Sequence, residues 1–597
     1  MSREFTNDVE KDLYLRKVAL GEIKAEMTGY PSIDKPWLKY YSEEAINSTL
    51  PDCSIYDYLV ENNKDYLDEY ALDYFGRKMT YGELFENIDI VANAFKANGI
   101  KKGDVCTVVT VSSVTSVLCF YALNKVGAVS NYINVLSSQE DLRQYFIEAS
   151  SELVVTLDLF AEKVLKAIED TAVKKVVIYS LADWMPIGIK LGFNLKMRKQ
   201  DKSYINNQHV ILWKDFLKSS NNIKQDMSHQ KDANTVGLIA HTSGTTGFPK
   251  SVLLSDNSLN AVAYQYKMCM AHKRQEIFLN IMIPFVVYGM LICLHMPLCC
   301  GLCVVIIPKF ESADWSKYIK KYHPNHIAGI PSFFRPMLND KKLDNISFDN
   351  LKTLAAGGEG MDEKFEKQFN QFLFEHKAGV NLTKGYGMTE VCATAVTCYS
   401  DCNKLGSVGI PLVKNNIKIY NSETQEECTY YEEGEVCLCC NSTMLGYKDC
   451  EDDMKHLFRE HKDGVWIHTG DLGYVDEDGF LWLVGRIKRM IIVGSENGVY
   501  KINPRTVESV LSTSDKVTEA CVVKRTCGKE YLLEANIVLD NKYKGQETAV
   551  EQELRTLCKD RLSDYMRPEF YKFRDELPLT KAGKIDYVVL EKAANDL

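Results

Sequence analysis

His241-Thr-Ser-Gly-Thr-Thr-Gly-Phe-Pro-Lys250 decides how the rest of this chain is read. The stretch follows an apolar run, Val236 to Ala240, that predicts a buried strand. Gly244 and Gly247 expose backbone N–H groups and let an anion approach closely. Thr242, Ser243, Thr245 and Thr246 add hydroxyl donors, and Lys250 adds a positive charge. A plain polar turn has no use for so many donors around two glycines, so the pattern points to polyphosphate. It narrowly misses the P-loop, Gly-x4-Gly-Lys-Ser/Thr. Gly244, Lys250 and Ser251 fit, but Pro249 replaces the second glycine and lacks the N–H that the cradle needs. A P-loop ATPase is therefore the weaker reading.

Outward from this loop, apolar strands alternate with helical stretches. Thr80 to Phe95 predicts an amphipathic helix, with Leu84, Ile88, Val91 and Phe95 at helical spacing. Strands are predicted at Val105–Val111, Leu153–Leu157, Lys175–Tyr179, Gly237–His241, Leu302–Ile307 and Ile327–Ile330. Such alternation implies parallel-rich sheets covered on both faces, an α/β body. Residues 200–234 are polar and read as a loop-rich surface stretch. Beyond Arg486, β-branched runs and a helix from about Ala549 to Leu562 suit a small α+β domain. The expected division is a body of several subdomains over 1–486 and a mobile domain over 487–597.

With 597 residues, 71 Lys+Arg, 81 Asp+Glu and a net charge of −10, the chain argues against nucleic acid as a main partner. Its 19 cysteines lack the dense spacing of a disulfide scaffold and read as reduced thiols of a cytoplasmic protein. The charged N-terminus has no apolar h-region, so no secretory signal is expected. Ile281 to Ile307 is uncharged apart from His295 and long enough for a membrane span. Pro284, Gly289, Pro297 and Gly301 break it up, which favours a buried helix followed by a buried strand.

Further motifs follow in order. They are Ala356-Gly-Gly-Glu-Gly360, Gly385-Tyr-Gly-Met-Thr-Glu390, Trp466-Ile-His-Thr-Gly-Asp471, Gly485-Arg486 and Pro578-Leu-Thr-Lys-Ala-Gly-Lys584. With the loop at 241–250, this series resembles the adenylate-forming superfamily, which includes acyl-CoA synthetases, adenylation domains of peptide synthetases and beetle luciferases. Thr80-Tyr-Gly-Glu-Leu84, Lys102-Gly-Asp104 and Lys125-Val-Gly-Ala128 resemble family positions of mostly structural meaning, and the likeness covers roughly residues 50 to 590.

The resemblance implies ATP, Mg²⁺ and coenzyme A as cofactors and co-substrates. It implies that Gly358, Glu359 and Gly360 lie against adenine, that Tyr386, between Gly385 and Gly387, stacks on it, and that Thr389 meets the α-phosphate. Glu390 would bind Mg²⁺, a hard carboxylate for a hard cation. Asp471 and Arg486 would hold the ribose, Lys584 would bridge the carboxylate and the α-phosphate, and Lys488 would be the hinge. A carboxylic acid would be converted to acyl-AMP with release of pyrophosphate. The acyl group would then pass to CoA after a domain rotation.

Several departures bear on the substrate. Ser251 stands where the family's loop usually continues with glycine, and Pro284-Phe-Val-Val-Tyr-Gly289 lacks the histidine often found there. Met490-Ile-Ile-Val-Gly-Ser-Glu-Asn-Gly498 carries Ser495 for a second glycine, so Gly494, Ser495 and Glu496 are candidates for the loop beside CoA. No acid lies in Phe285–Tyr288 to hold an α-ammonium. An apolar pocket of Phe285, Tyr288, Ala355, Val391 and Ala393 suits a fatty or aryl carboxylate. Trp184 to Lys202 mixes apolar residues with five cations, in an alternation that suggests a strand and a 187/191/195 spacing that suits a helix. It could touch an anionic membrane peripherally. His295, Cys299, Cys300 and Cys303 read as buried residues rather than a metal site. The alternatives are an acyl-AMP ligase loading an acyl carrier protein and a catalytically weak nucleotide-binding protein.

Overall fold

The computed structural model describes residues 5–197, 202–222, 232–242, 249–399, 402–495, 498–527, 530–580 and 585–595. Strands predicted from β-branched runs lie where expected. Val105–Thr110, Leu153–Leu157, Lys175–Tyr179 and Val236–His241 join a sheet whose spatial order is Gly446–Tyr447, Ser251–Ser255, Val236–His241, Val129–Asn134, Val105–Thr110, Leu153–Leu157, Lys175–Tyr179, Val210–Leu212. From Val236–His241 to Val210–Leu212 every pairing is parallel, as crossover helices require. The helix Tyr81–Ala97 has a reciprocal cap between Thr80 and Glu83, and it buries Leu84, Ile88, Val91 and Phe95.

A second sheet runs Leu382–Tyr386, Thr353–Gly357, His326–Gly329, Ile277–Asn280, Cys303–Ile306 and Tyr70–Tyr74 in parallel, with antiparallel strands at both edges. A third, antiparallel sheet takes in Asn416–Asn421, Gly434–Cys439, Phe458–His461, Gly464–Val475 and Leu481–Arg486. The α/β class read from the sequence is the class observed. Past Arg486 come a hairpin, Ile491–Ser495 with Gly498–Ile502, and a three-stranded sheet packed by Pro504–Ser512 and Glu547–Arg561. Two small hydrophobic cores lie wholly within residues 491–594. Asn503 Nδ2 donates to Val484 O, and Lys364 Nζ donates to the carbonyls of Ser512 and Ser514, tying this part to the body.

The uncharged run at 281–307 is indeed two buried elements. Tyr288–His295 forms a π-helix continued by Met296–Cys299, and Cys303–Ile306 is a central strand. The first turn of this helix requires Gly289, because a Cβ there would lie 2.1 Å from Ile283 O in the segment that precedes it. No helix among the described residues is long and apolar enough to cross a membrane.

Two local readings are corrected. Residues 200–234 are not merely loop: Val210–Leu212 adds an edge strand, and Trp213–Ser219 is a helix that buries Trp213 and Phe216. Two aromatic residues three positions apart outweigh the polar composition around them. The alternation at 187–197 does not make a strand, since Ile187–Lys196 is helical. The 187/191/195 spacing was the governing period.

Candidate functional site

One cavity of about 1230 Å³ lies along the face of the second sheet. Thr383 and Gly385 of the strand Leu382–Tyr386 face the space together with the flanking Asn381 and Gly387, and so do Thr353, Ala355, Ala356 and Gly357 of the next strand with Glu359 beyond it. Gly358, Thr242, Thr389 and Pro249 line it near the ends of the strands, and Phe285, Tyr288 and Ala393 line its apolar side. Five residues of the C-terminal part, Thr580, Asp586, Val588, Val589 and Lys592, also line it.

The glycine-rich loop is pinched at its neck. Lys250 N donates to Thr242 Oγ1 at 3.0 Å, and Thr242 N donates to Lys250 O at 3.1 Å. Ser243, Gly244, Thr245, Thr246 and Gly247 lie outside the described residues. His241, the last residue of the incoming strand, donates from Nε2 to Asn131 Oδ1 at 2.7 Å, and burial pulls its pKa down to about 3. Lys250 Nζ pairs with Asp453 at 2.8 Å and rests 4.9 Å from the centre of the Tyr447 ring. Tyr447 in turn donates its hydroxyl to Glu390 Oε1 at 2.6 Å. Burial and the Glu390 charge raise the Tyr447 pKa, so this hydroxyl stays protonated as a donor.

Glu390 is buried on the short 3₁₀ turn Thr389–Val391. Directly after it, Cys392 (φ 56°) and Ala393 (φ 80°) both adopt left-handed backbone without being glycine. Such strain concentrates where a binding site dictates the chain path. Here it turns Ala393 onto the cavity. One buried carboxylate steadied by one hydroxyl fits Mg²⁺, which is commonly held by one or two carboxylates together with substrate phosphates.

Tyr386, Asp471 and Arg486 form a closed triplet. Tyr386 OH donates to Asp471 Oδ2 at 2.7 Å, and Arg486 Nε donates to Asp471 Oδ1 at 2.8 Å. Burial first, and then the Asp471 charge, raise the Tyr386 pKa well above the phenol range. Asp471 and Arg486 are paired across adjacent strands, so the antiparallel register alone places guanidinium against carboxylate. Glu435 holds this strand from below, accepting from Gly470 N at 3.0 Å while hydrogen-bonded to His468 Nδ1 at 2.8 Å. Glu359 is fixed by Ser332, whose N–H and hydroxyl both donate to its carboxylate.

The structure therefore brings Thr242, Gly358, Glu359, Gly385, Gly387, Thr389, Phe285, Tyr288, Ala355 and Ala393 around one cavity. Glu390, Lys250 and the Tyr386–Asp471–Arg486 triplet stand outside its lining, and Gly360 is not part of it. Val391 corrects the sequence reading: it is fully buried in the main core and is not among the residues that line the cavity. Lys488 is exposed on the 3₁₀ turn Ile487–Arg489. Gly494 and Ser495 end a hairpin strand, and Glu496 lies outside the described residues. Lys584 lies outside them too. Its neighbours Thr580 and Asp586 line the cavity, and an antiparallel bridge joins Leu579 to Ile585. The ring nitrogens of His295 are taken by Tyr121 OH and Asn260 Oδ1, and burial draws its pKa down to about 3. Sequence reasoning missed Tyr447 and Asp453, for which no local motif exists.

The family model for AMP-binding enzymes matches residues 59–448, and that for the AMP-binding enzyme C-terminal domain matches 506–584. The chain belongs to the AMP-binding enzyme family, and the adenylate-forming, acid–thiol ligase class read from the sequence stands. It is 27% identical over 560 residues to a long-chain-fatty-acid–CoA ligase of Bacillus subtilis, covering 92% of this chain and 96% of the relative. Among solved structures, the ATP-bound RpMatB-BxBclM chimera B1 superposes with a TM-score of 0.79 at 20% identity, covering 92% of this chain and 100% of that one. The anthranilate CoA ligase AuaEII with anthranoyl-AMP gives 0.77 at 21%, covering 92% and 99%.

Proposed function

We propose that this enzyme activates a fatty or aryl carboxylic acid with ATP and passes the acyl group to CoA. The observation that carries this reading is one cavity with the hydroxyls of Thr242 and Thr389 at one end, Thr389 being followed in the chain by the buried Glu390 carboxylate, and an apolar, small-residue floor beside them. The substrate carboxylate attacks the α-phosphorus, the bond to the β-phosphate breaks, and acyl-AMP and pyrophosphate form. Two anions must meet, so the chemistry rests on positioning and neutralisation. Thr242, Lys250 and the loop between them hold the phosphates, and Thr389 meets the α-phosphate. Tyr386 faces adenine, Asp471 and Arg486 hold the ribose, and Lys584 bridges carboxylate and phosphate. Mg²⁺ at Glu390 would neutralise phosphate charge. Rotation of residues 487–597 about Lys488 then brings Gly494, Ser495 and Glu496 toward the thiol. Ala355, Gly357 and Gly385 leave room for an extended or flat acyl group, whereas no acid on Phe285–Tyr288 is available to hold an amino acid. Nineteen free cysteines accord with work in the cytoplasm.

The test is to incubate the full chain with ATP, Mg²⁺, CoA and a panel of carboxylates and to identify the products. AMP, pyrophosphate and acyl-CoA from fatty or aryl acids are expected. AMP without acyl-CoA would point to a carrier protein as acceptor, and preference for acetate or amino acids would reject the substrate class. Lys584→Ala should abolish pyrophosphate exchange and leave ATP binding in place.

A further inference from the structure

The helix Ile187–Lys196 has two apolar sides, and only one of them is packed. Phe193 turns inward against the main core, and Trp184, just before the helix, donates its indole N–H to Thr115 Oγ1. On the other side stand Ile187, Leu191 and Leu195, which are 80%, 62% and 70% exposed. They recur every fourth residue and so form one continuous stripe along the helix. Gly188 and Gly192 lie beside that stripe, and a Cβ built at either position meets no atom within 4 Å. Among the described residues, this face is therefore bare.

Single exposed apolar residues are ordinary, but an aligned stripe of three on one helix is not. Its charge setting points to one partner. Lys190 and Lys196 flank the stripe on the helix itself, and Lys202 follows. Arg198 and Lys199 belong to the same run and lie outside the described residues. Five cations against the single Asp201 in 187–202 contrast with a chain whose net charge is −10. Arg77 stacks over Trp184 at the start of the segment, adding a further cation there. An apolar stripe edged by lysines is the pattern of a helix that lies in the interface of an anionic bilayer. With 10 residues the helix cannot span one.

We propose that Ile187–Lys196 docks this enzyme peripherally on an anionic lipid surface, with Ile187, Leu191 and Leu195 among the acyl chains and the lysines at the headgroups. The helix connects the last two strands at one edge of the eight-stranded sheet, the edge away from Val236–His241 and the phosphate loop. The proposal stands whether or not the carboxylate reading above is right.

Full-length protein is sedimented with sucrose-loaded vesicles of phosphatidylglycerol and phosphatidylcholine, and separately with phosphatidylcholine alone. Binding to the anionic vesicles that weakens with added salt is expected. Leu191→Ser/Leu195→Ser should lower the partition coefficient at least about tenfold, and Lys190→Glu/Lys196→Glu should lower it by a similar factor at low salt. Leu191, Leu195 and Lys196 are exposed and Lys190 is half-buried, so unchanged thermal midpoints should accompany the losses. The lysine variant serves as the reading if the leucine variant folds poorly. No sedimentation at low salt overturns the proposal, as does full binding by both variants. Concentration-dependent dimers in ultracentrifugation that vanish in Leu191→Ser/Leu195→Ser, without vesicle binding by the parent, would assign the stripe to self-association instead.

Discussion

The polar and apolar ends of the cavity are built by opposite means. Beyond the polar end, outside the lining itself, the charged groups singled out from the sequence already have protein partners where a contact is described: Asp471 has Tyr386 and Arg486, Lys250 has Asp453, and Glu390 has Tyr447. A nucleotide entering there must exchange partners with these groups, so its affinity is a difference between two sets of charge-assisted hydrogen bonds. At the apolar end, Ala355, Gly357, Gly385 and Phe285 surround space that is already open. A ligand there gains by filling volume and leaving water. On the proposed function, the polar end would govern whether reaction occurs, and the apolar end on what.

Substitutions at the two ends should separate these roles. Glu390→Gln removes the charge for Mg²⁺ and keeps the shape. It should lower kcat/KM by about 10²–10³-fold equally for every carboxylate in a pyrophosphate-release assay, whereas a loss confined to one acid would break the division. Gly387→Ala strikes where the ends meet, since its Cβ would lie 2.3 Å from Ala393 O. The strained turn cannot yield cheaply, so a loss of about 3 kcal/mol in chemical unfolding is expected. Ala355→Phe should cut kcat/KM for long or bulky acids by about 10–100-fold while sparing short ones and the KM for ATP.

The smallest effect concerns pH. Buried His295, held at about 3, resists protonation in the folded state, while an unfolded histidine takes up its proton near its ordinary value. Stability is therefore full above about pH 6.5 and falls as pH drops toward 3, by about 1.4 kcal/mol per unit from this residue. His295→Gln should flatten the urea-midpoint profile between pH 6.5 and 5 by that slope. An unchanged profile would show that the helix beneath the apolar end titrates differently.

Much of this was legible in the chain. The strands at 153–157 and 175–179 are read to the residue, because short β-branched runs buried on both faces leave little choice of state. The Asp471–Arg486 contact was half legible: the residues stood out in their motifs, but only strand register sets them opposite each other. Val391 was misread because adjacency to Glu390 in the chain says nothing of what a side chain packs against, and this one joins the main core.

Residue patterns along the chain were enough for the α/β class and for the order of motifs that marks the family. These depend on local chemistry: backbone donors freed by glycine, hydroxyls at fixed offsets, and hydrophobic period. Tertiary structure alone decided that Tyr447, 57 residues beyond Glu390, would steady its carboxylate, that Asp453 would hold Lys250, and that Ile187, Leu191 and Leu195 would face outward. Periodicity states that a helix has an apolar side; only the packing of other elements settles which side is covered.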